Sequence, residues 1–261
     1  MPNRRRVGHI RPKFMSSPKG LRASVRRSPG RGAVKSSEAE SMANSETPVK
    51  PAVRKRVPNV ERTARTRAKL IEATIASLHE IGFHQTTTTV VAQRAGVSRG
   101  AMLHHFPTKA DLMMAAAERM RDMRGELHRE RLANLETPTD KFLALIDVLW
   151  EAMVSPSGVA RIELMLSTRS DPDMAEKFVR MNDELDKRHK ESVWGLCQSA
   201  GMSGDEARDK IYAFVQLYAA ALRGLAIDAL REESREGADS AVELLKTYQL
   251  QMFEDLVARQ N

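Results

Sequence analysis

Cysteine is nearly missing from this 261-residue chain: Cys197 stands alone. One thiol closes no intramolecular disulfide and builds no thiolate metal cluster, which points to a reducing, cytoplasmic setting. Long uncharged runs are missing as well. No stretch free of Asp, Glu, Lys and Arg exceeds 13 residues, short of the roughly 20 that cross a bilayer core, so no membrane span is expected. Arg4-Arg5-Arg6 is not expected to open a signal peptide, because the VGHIRPKFM that follows has no apolar core. The chain also lacks a Gly-rich phosphate loop, a Gly-x-Ser-x-Gly elbow and a His-Glu-x-x-His run. Acidic pairs such as Asp171–Asp173 and Glu232–Glu233 fall at expected helix ends, where they complement the dipole or stay solvated. No catalytic residue, no cofactor and no metal site are expected, and the enzyme classes drop out.

Acidic residues are scarce only at the start. Residues 1–60 hold 15 Lys and Arg against Glu38, Glu40 and Glu46, a balance of +12. Residues 61–109 hold 7 basic against 3 acidic side chains, and residues 110–261 hold 20 against 28. The overall +8 is therefore a property of the N-terminus and not of the remainder. Residues 1–57, rich in proline and serine and without apolar periodicity, are expected to be a disordered basic tail. They serve either as an arm adding phosphate contacts or as a solvated tail, and Met15 and Met42 both stand as alternative translation starts.

From residue 61 the periodicity is helical. Helices are expected at 61–81, 88–95, 99–105, 108–132, 138–154, 159–169, 173–200, 204–233 and 238–259, separated by Gly82, Gly96, Pro107, Pro138, Pro156-Ser157-Gly158, Pro172, Gly201 to Gly204, and Gly237. With no strand-like alternation beyond TTTTVV at 86–91, the expected class is all-α. The expected division is a helix-turn-helix domain at 58–109 and a helical ligand-binding and dimerisation domain at 110–261.

The stretch TTTTVVAQRAGVSRGAMLHHFPTK, residues 86–109, carries the most information. It reads as two short helices joined at Ala95-Gly96-Val97, with Gly96 suited to a positive-φ turn and Ser98 to an N-cap. Met102 and Phe106 are i and i+4, so they share an inward face. Arg99, Gly100, Ala101, Leu103 and His104 occupy the remaining surface. A short helix with one charged donor and small residues suits the major groove, with Arg99 placed for guanine and Ala101 or Leu103 for a thymine methyl. The threonines at the start of the first helix, and Lys109, suit phosphate contacts. His104 and His105 are neighbours on one helix and point about 100° apart, which argues against a shared metal ion.

These residues resemble the N-terminal DNA-binding domain of TetR/AcrR-type transcriptional regulators. The resemblance covers about 50 contiguous residues, from KLIEATIASLHEIGF through VAQRAGVSRGAMLHHFPTKADL. It implies a homodimer, a small-molecule effector and repression relieved by that effector. Carried over residue by residue, the family's groove and phosphate contacts fall on Thr87, Thr88, Thr89, Arg99, Gly100, Ala101, His104, His105 and Lys109. Leu103 stands where the family often has tyrosine and Thr89 where it often has arginine, which shifts base reading onto Arg99 and His104. The expected function is a DNA-binding transcriptional regulator, a ligand-relieved repressor binding a palindromic double-stranded operator as a homodimer. The alternative is a small-molecule-binding helical dimer without sequence-specific DNA recognition.

In the C-terminal half, Ile211, Val215, Tyr218, Leu222, Leu225 and Ala229 recur at helical spacing, as do Ala241, Leu245, Tyr248, Met252 and Leu256. Both stripes are read as a four-helix dimer interface, against the reading that they complete the subunit core. Trp150, Met153, Met165, Trp194, Phe214 and Tyr218 lie on segments that line the pocket in relatives, and are the expected walls for an apolar or amphipathic effector. Arg161, Glu163 or Arg223 is available to orient a polar group. Cys197, beside Trp194 and Leu196, is read as a buried small hydrophobe.

Overall fold

Capping chemistry sets most helix boundaries in this computed structural model, which describes residues 59–259. The tail expected over 1–57 lies outside the described residues. The first helix, α1 (Asn59–Gln85), is interrupted at Gly82, whose φ of +73° and ψ of 175° suit glycine alone. Thr87 caps α2 (Thr88–Ala95), its hydroxyl accepting from the Val90 amide at 3.2 Å. That helix ends at Gly96, which adopts φ +64° and returns its N–H to the Gln93 carbonyl. Ser98 caps α3 (Arg99–His105) by accepting from the Ala101 amide at 3.2 Å. Thr108 and Asp111 exchange side-chain and backbone bonds as a capping box at the start of α4 (Lys109–Ala133).

The remaining helices are α5 (Pro138–Leu143), α6 (Leu145–Val154), α7 (Pro156–Ser167), α8 (Pro172–Ser199), α9 (Asp205–Asp228) and α10 (Arg235–Ala258). Single 3₁₀ turns follow α7 at Thr168–Ser170 and precede α10 at Glu232–Ser234. There is no strand among the described residues. The expected 138–154 helix is interrupted at Ala144, whose amide is shared between the Asp140 and Phe142 carbonyls. Two starts come earlier than the breakers indicated. Pro156 is the first residue of α7 rather than a stop, and Gly237 lies inside the first turn of α10. A proline there loses only an amide that had no helical partner anyway.

Two large apolar clusters hold the molecule together. In the first, Leu70 and Leu78 of α1 meet Val91, Met102, Phe106, Leu112 and Met113, closed by Ala160 and Leu164 of α7 and by Met174 and Phe178 of α8. This cluster crosses residue 109, so α4 and α7 serve both halves of the chain. The second gathers Phe142, Ile146, Val193, Cys197, Ile211, Tyr218, Leu222, Val242 and Phe253.

The helix α9 is, by length and composition, apolar enough to cross a membrane, with a mean hydropathy of 1.2 over its most apolar window. One of its faces is nevertheless core, since Ile211, Val215, Tyr218 and Leu222 are buried in the second cluster. This corrects the expectation that those residues form an interface: they fill the subunit's own interior. The surface stripe of α9 lies two positions further along, at Ala213, Leu217, Ala220, Gly224 and Ile227. On α10 the inward residues are Val242, Leu245, Gln249, Phe253 and Leu256, leaving Leu244 and Tyr248 outside. Leu217 and Tyr248 are 60% and 54% exposed, a large apolar surface for a folded subunit to leave in water.

Candidate functional site

The first candidate surface is the exposed face of α3. Met102 and Phe106 point inward and are fully buried, so the backbone of this seven-residue helix is fixed from below. Arg67 of α1 reinforces that anchorage, its guanidinium lying 5.1 Å from the centre of the Phe106 ring. On the outer side Arg99, Gly100, Leu103 and His104 are exposed, and Ala101 and His105 are half-buried. The imidazoles of His104 and His105 stand edge to face with centres 5.6 Å apart. A Cβ added at Gly100 would meet nothing within 4 Å, so the backbone there is open to close approach.

Arg99 forms no ion pair among the described residues. Arg94 on α2 differs: it is bonded to Glu80 of α1, which holds the Glu80 carboxyl below its usual range. The structure therefore leaves one of these two arginines free to read a partner. Thr87 and Thr89 are exposed at the start of α2, with Thr88 half-buried beside them. Lys109 is less free than its sequence position indicates. Its ammonium donates to the Phe83 carbonyl at 3.1 Å and sits 4.0 Å from the centre of the Phe83 ring. Burial lowers its pKa, opposed by Asp171. The Phe83 amide in turn donates to Glu163 Oε2 of α7 at 3.1 Å. The backbone of Phe83, just after the Gly82 bend, is thus held on both sides, through its carbonyl by α4 and through its amide by α7.

The second candidate site is a cavity of about 460 Å³ between α4, α6, α7, α8 and α9. Leu145, Val148, Leu149 and Met153 of α6 form its apolar wall. The opposite wall is basic, with Arg121, Arg124 and His128 from α4, Arg161 from α7, Arg188 and His189 from α8, and Arg223 from α9. A smaller space of about 230 Å³ shares Arg124, Met153 and Arg161. Of the six large side chains expected to line a pocket, Met153 alone lines this cavity, and Trp150 lines a separate open groove between α6 and α10. Met165 packs against the first cluster, while Trp194, Phe214 and Tyr218 belong to the second. Trp150 packs on the second cluster and donates its indole N–H to Asp239 at 3.0 Å. Large aromatic side chains fill space, and so mark where a cavity is not. Arg161 and Arg223 do reach the wall, whereas Glu163 is taken up by the Phe83 amide.

Burial dominates the electrostatics of the basic wall. It lowers the pKa of Arg161 to about 10, with Arg124 and Arg223 adding to the effect and Asp186 opposing it. Burial also brings His189 down to about 4, helped by the Arg124 cation and by His128. His128 moves in the same direction for the same reasons, burial and Arg124. His189 Nε2 and the buried Tyr218 hydroxyl are hydrogen-bonded at 2.7 Å. Apart from Arg161 and Arg223, the arginine and histidine wall was missed in the sequence, although Arg121, Arg124 and His128 recur at helical spacing on α4. Such a stripe reads as a solvated face until α7, α8 and α9 are seen to cover it.

Residues 70–116 match the family described as bacterial regulatory proteins, tetR family. The HTH-type transcriptional regulator CymR of Pseudomonas putida is 33% identical over 183 residues, covering 70% of this chain and 88% of that one. Among solved structures, a TetR transcriptional regulator from Chloroflexus aurantiacus superposes with a TM-score of 0.61 at 20% identity, covering 73% of this chain and 97% of the other. A protein from Saccharomonospora viridis, solved in complex with choline, superposes with a TM-score of 0.56 at 15% identity over 73% of this chain and 96% of its own.

Proposed function

We propose, taking as premise that this chain belongs to the TetR family of bacterial regulatory proteins and is a DNA-binding transcriptional regulator, that it is a repressor relieved by a small molecule and binds a palindromic operator as a homodimer. The observation that carries this reading is α3 itself: Met102 and Phe106 anchor it, and Arg99, Gly100 and His104 face outward. Arg99 reads a guanine through two parallel bonds, and Gly100 and Ala101 let the backbone approach the base edges. Thr87, Thr88 and Thr89 contact phosphates at the start of α2. Lys109 adds a phosphate contact with the ammonium hydrogens that the Phe83 carbonyl leaves free, and His105 packs beside the groove.

Dimerisation is supported by the apolar stripe of Leu217, Ala220, Gly224 and Ile227 on α9 beside Leu244 and Tyr248 on α10. Two copies joined there give the paired reading heads that a palindrome requires, about 34 Å apart. A small-molecule effector is supported by the cavity, whose volume falls within the range of ligand sites, and by the choline carried by the Saccharomonospora protein of the same fold. The protein acts where the chromosome is, in the cytoplasm.

Selection of bound fragments from random DNA tests the reading. A repressor of this kind enriches a palindrome, whereas salt-sensitive binding without enrichment would favour a helical dimer that has no sequence-specific DNA role. On the enriched site, Arg99→Ala costs about 1–3 kcal/mol and relaxes one base position, while Lys109→Ala weakens all sequences alike and lowers the salt slope by about one. Equal losses on every sequence from both substitutions would remove Arg99 as a base reader.

A further inference from the structure

Six arginines line the cavity against one acidic side chain, Asp186. On the rim, Arg121 is paired with Asp122 and Arg188 with Glu184. Arg124, Arg161 and Arg223 form no ion pair among the described residues. Arg161 is bonded only to the neutral amide oxygen of Asn182, and the buried Nε of Arg223 has no hydrogen-bond partner at all. Asp186 of α8 lines the same cavity, the one acidic side chain that does, and its charge acts on Arg124 and Arg161 without closing an ion pair with either. Gathering like charges out of water is costly unless something opposite in sign joins them. A folded protein that keeps such a group in a cavity keeps it for an occupant.

We infer that the effector is an organic anion: a carboxylate on an apolar skeleton, its charge held by Arg124, Arg161 and Arg223 and its skeleton laid on Leu145, Val148, Leu149 and Met153. This inference rests on the reading of the protein as a ligand-responsive regulator and narrows it to one class of effector. Guanidinium groups suit a carboxylate because their parallel N–H donors match its two oxygens. The four aliphatic side chains of α6 offer no partner for polar groups at the other end, so a small hydrophilic anion would leave that wall uncovered. The excess of guanidinium charge over the single Asp186 carboxylate works against a cationic guest.

Binding is read by thermal shift and calorimetry on the full-length protein with 4-phenylbutyrate, decanoate and 2-naphthoate, each beside its own primary amide, with inorganic phosphate as an anion lacking a skeleton. Carboxylates are expected to bind at least about tenfold tighter than the matching amides, because the bonds they accept are charge-assisted. Phosphate is expected to give no comparable shift. Arg161→Met is expected to abolish the preference for carboxylate over amide. The unliganded midpoint should hold or rise, since one member of a repelling group is gone. If that variant loses its helical circular dichroism, Arg124→Met and Arg223→Met each repeat the measurement. Amides binding as tightly as carboxylates, phosphate matching them, or a preference that survives all three substitutions would overturn the assignment. Operator selection keeps the two readings apart. An enriched palindrome with no carboxylate preference sinks the effector class alone. An arginine-dependent preference without operator enrichment sinks the regulator and leaves the anion site standing.

Discussion

His189 shows how much a single residue's surroundings decide. Its imidazole is hydrogen-bonded to Tyr218, lies edge to face with His128 at 6.2 Å between centres, and is under the field of Arg124. Burial and these neighbours bring its pKa down to about 4. A depressed histidine favours the fold in its neutral form, so its contribution is complete above the ordinary value near 6.5 and is lost as the pH falls toward 4. Between pH 7.5 and pH 5 the protein should therefore lose about 2 kcal/mol through this residue, with His128 adding in the same direction. Chemical denaturation at the two pH values checks this: His189→Gln should flatten the difference, and an unchanged slope would assign it elsewhere. Nothing in the sequence around position 189 announced this environment, because it is assembled from α4, α8 and α9. The inward pair Met102 and Phe106 was legible, since an i, i+4 relation is fixed by the helix itself. Lys109 falls between: its position was legible, and its bond to Phe83, made across 26 residues, was not.

Among the elements, three starts share one pattern: Thr137-Pro138, Ser155-Pro156 and Asp171-Pro172 each set a capping side chain before a proline at the first helical position. Read as breakers, the later two prolines displaced the expected helix starts, by three residues at Pro156 and by one at Pro172. Read as cap and first residue, they locate the starts. The corner between α6 and α7 turns through 74°, and Gly158 makes it possible. A Cβ there would lie 2.2 Å from the Ala152 carbonyl oxygen and 2.4 Å from that of Met153. These are backbone atoms that cannot move aside cheaply. Gly158→Ala is therefore expected to cost about 1–3 kcal/mol, read as a lowered thermal midpoint. Gly100→Ala, in open space on α3, should leave the midpoint level or raise it, since alanine favours a helix. The same change should weaken operator binding by holding the backbone off the bases. If the two substitutions had equal effects on stability, the corner would not be as tight as its geometry states.

The whole molecule is organised by which face of each helix it uses. The seam on α9 was legible as a stripe, but periodicity cannot say whether a stripe meets its own subunit or another copy. The fold answers by burying Ile211, Val215, Tyr218 and Leu222 and exposing the neighbouring row. Leu217→Glu is accordingly expected to yield a helical monomer by sedimentation, with operator binding lost because a lone reading head recognises half a site. A variant that still sedimented as a dimer would move the interface off α9. The backbone of Phe83 bears on the molecule as a whole. Its amide is held by α7, two residues from Arg161, and its carbonyl by the first residue of α4, the helix that carries Arg124 and His128. Hydrogen bonds to charged groups are worth about 1.5–3 kcal/mol each, and coupling between distant sites typically amounts to about 1–3 kcal/mol. A guest that shifts α4 or α7 against α1 works on the backbone of this one residue. The free energy by which effector and operator oppose each other is then the same in both directions: whatever the anion subtracts from DNA affinity, DNA subtracts from affinity for the anion.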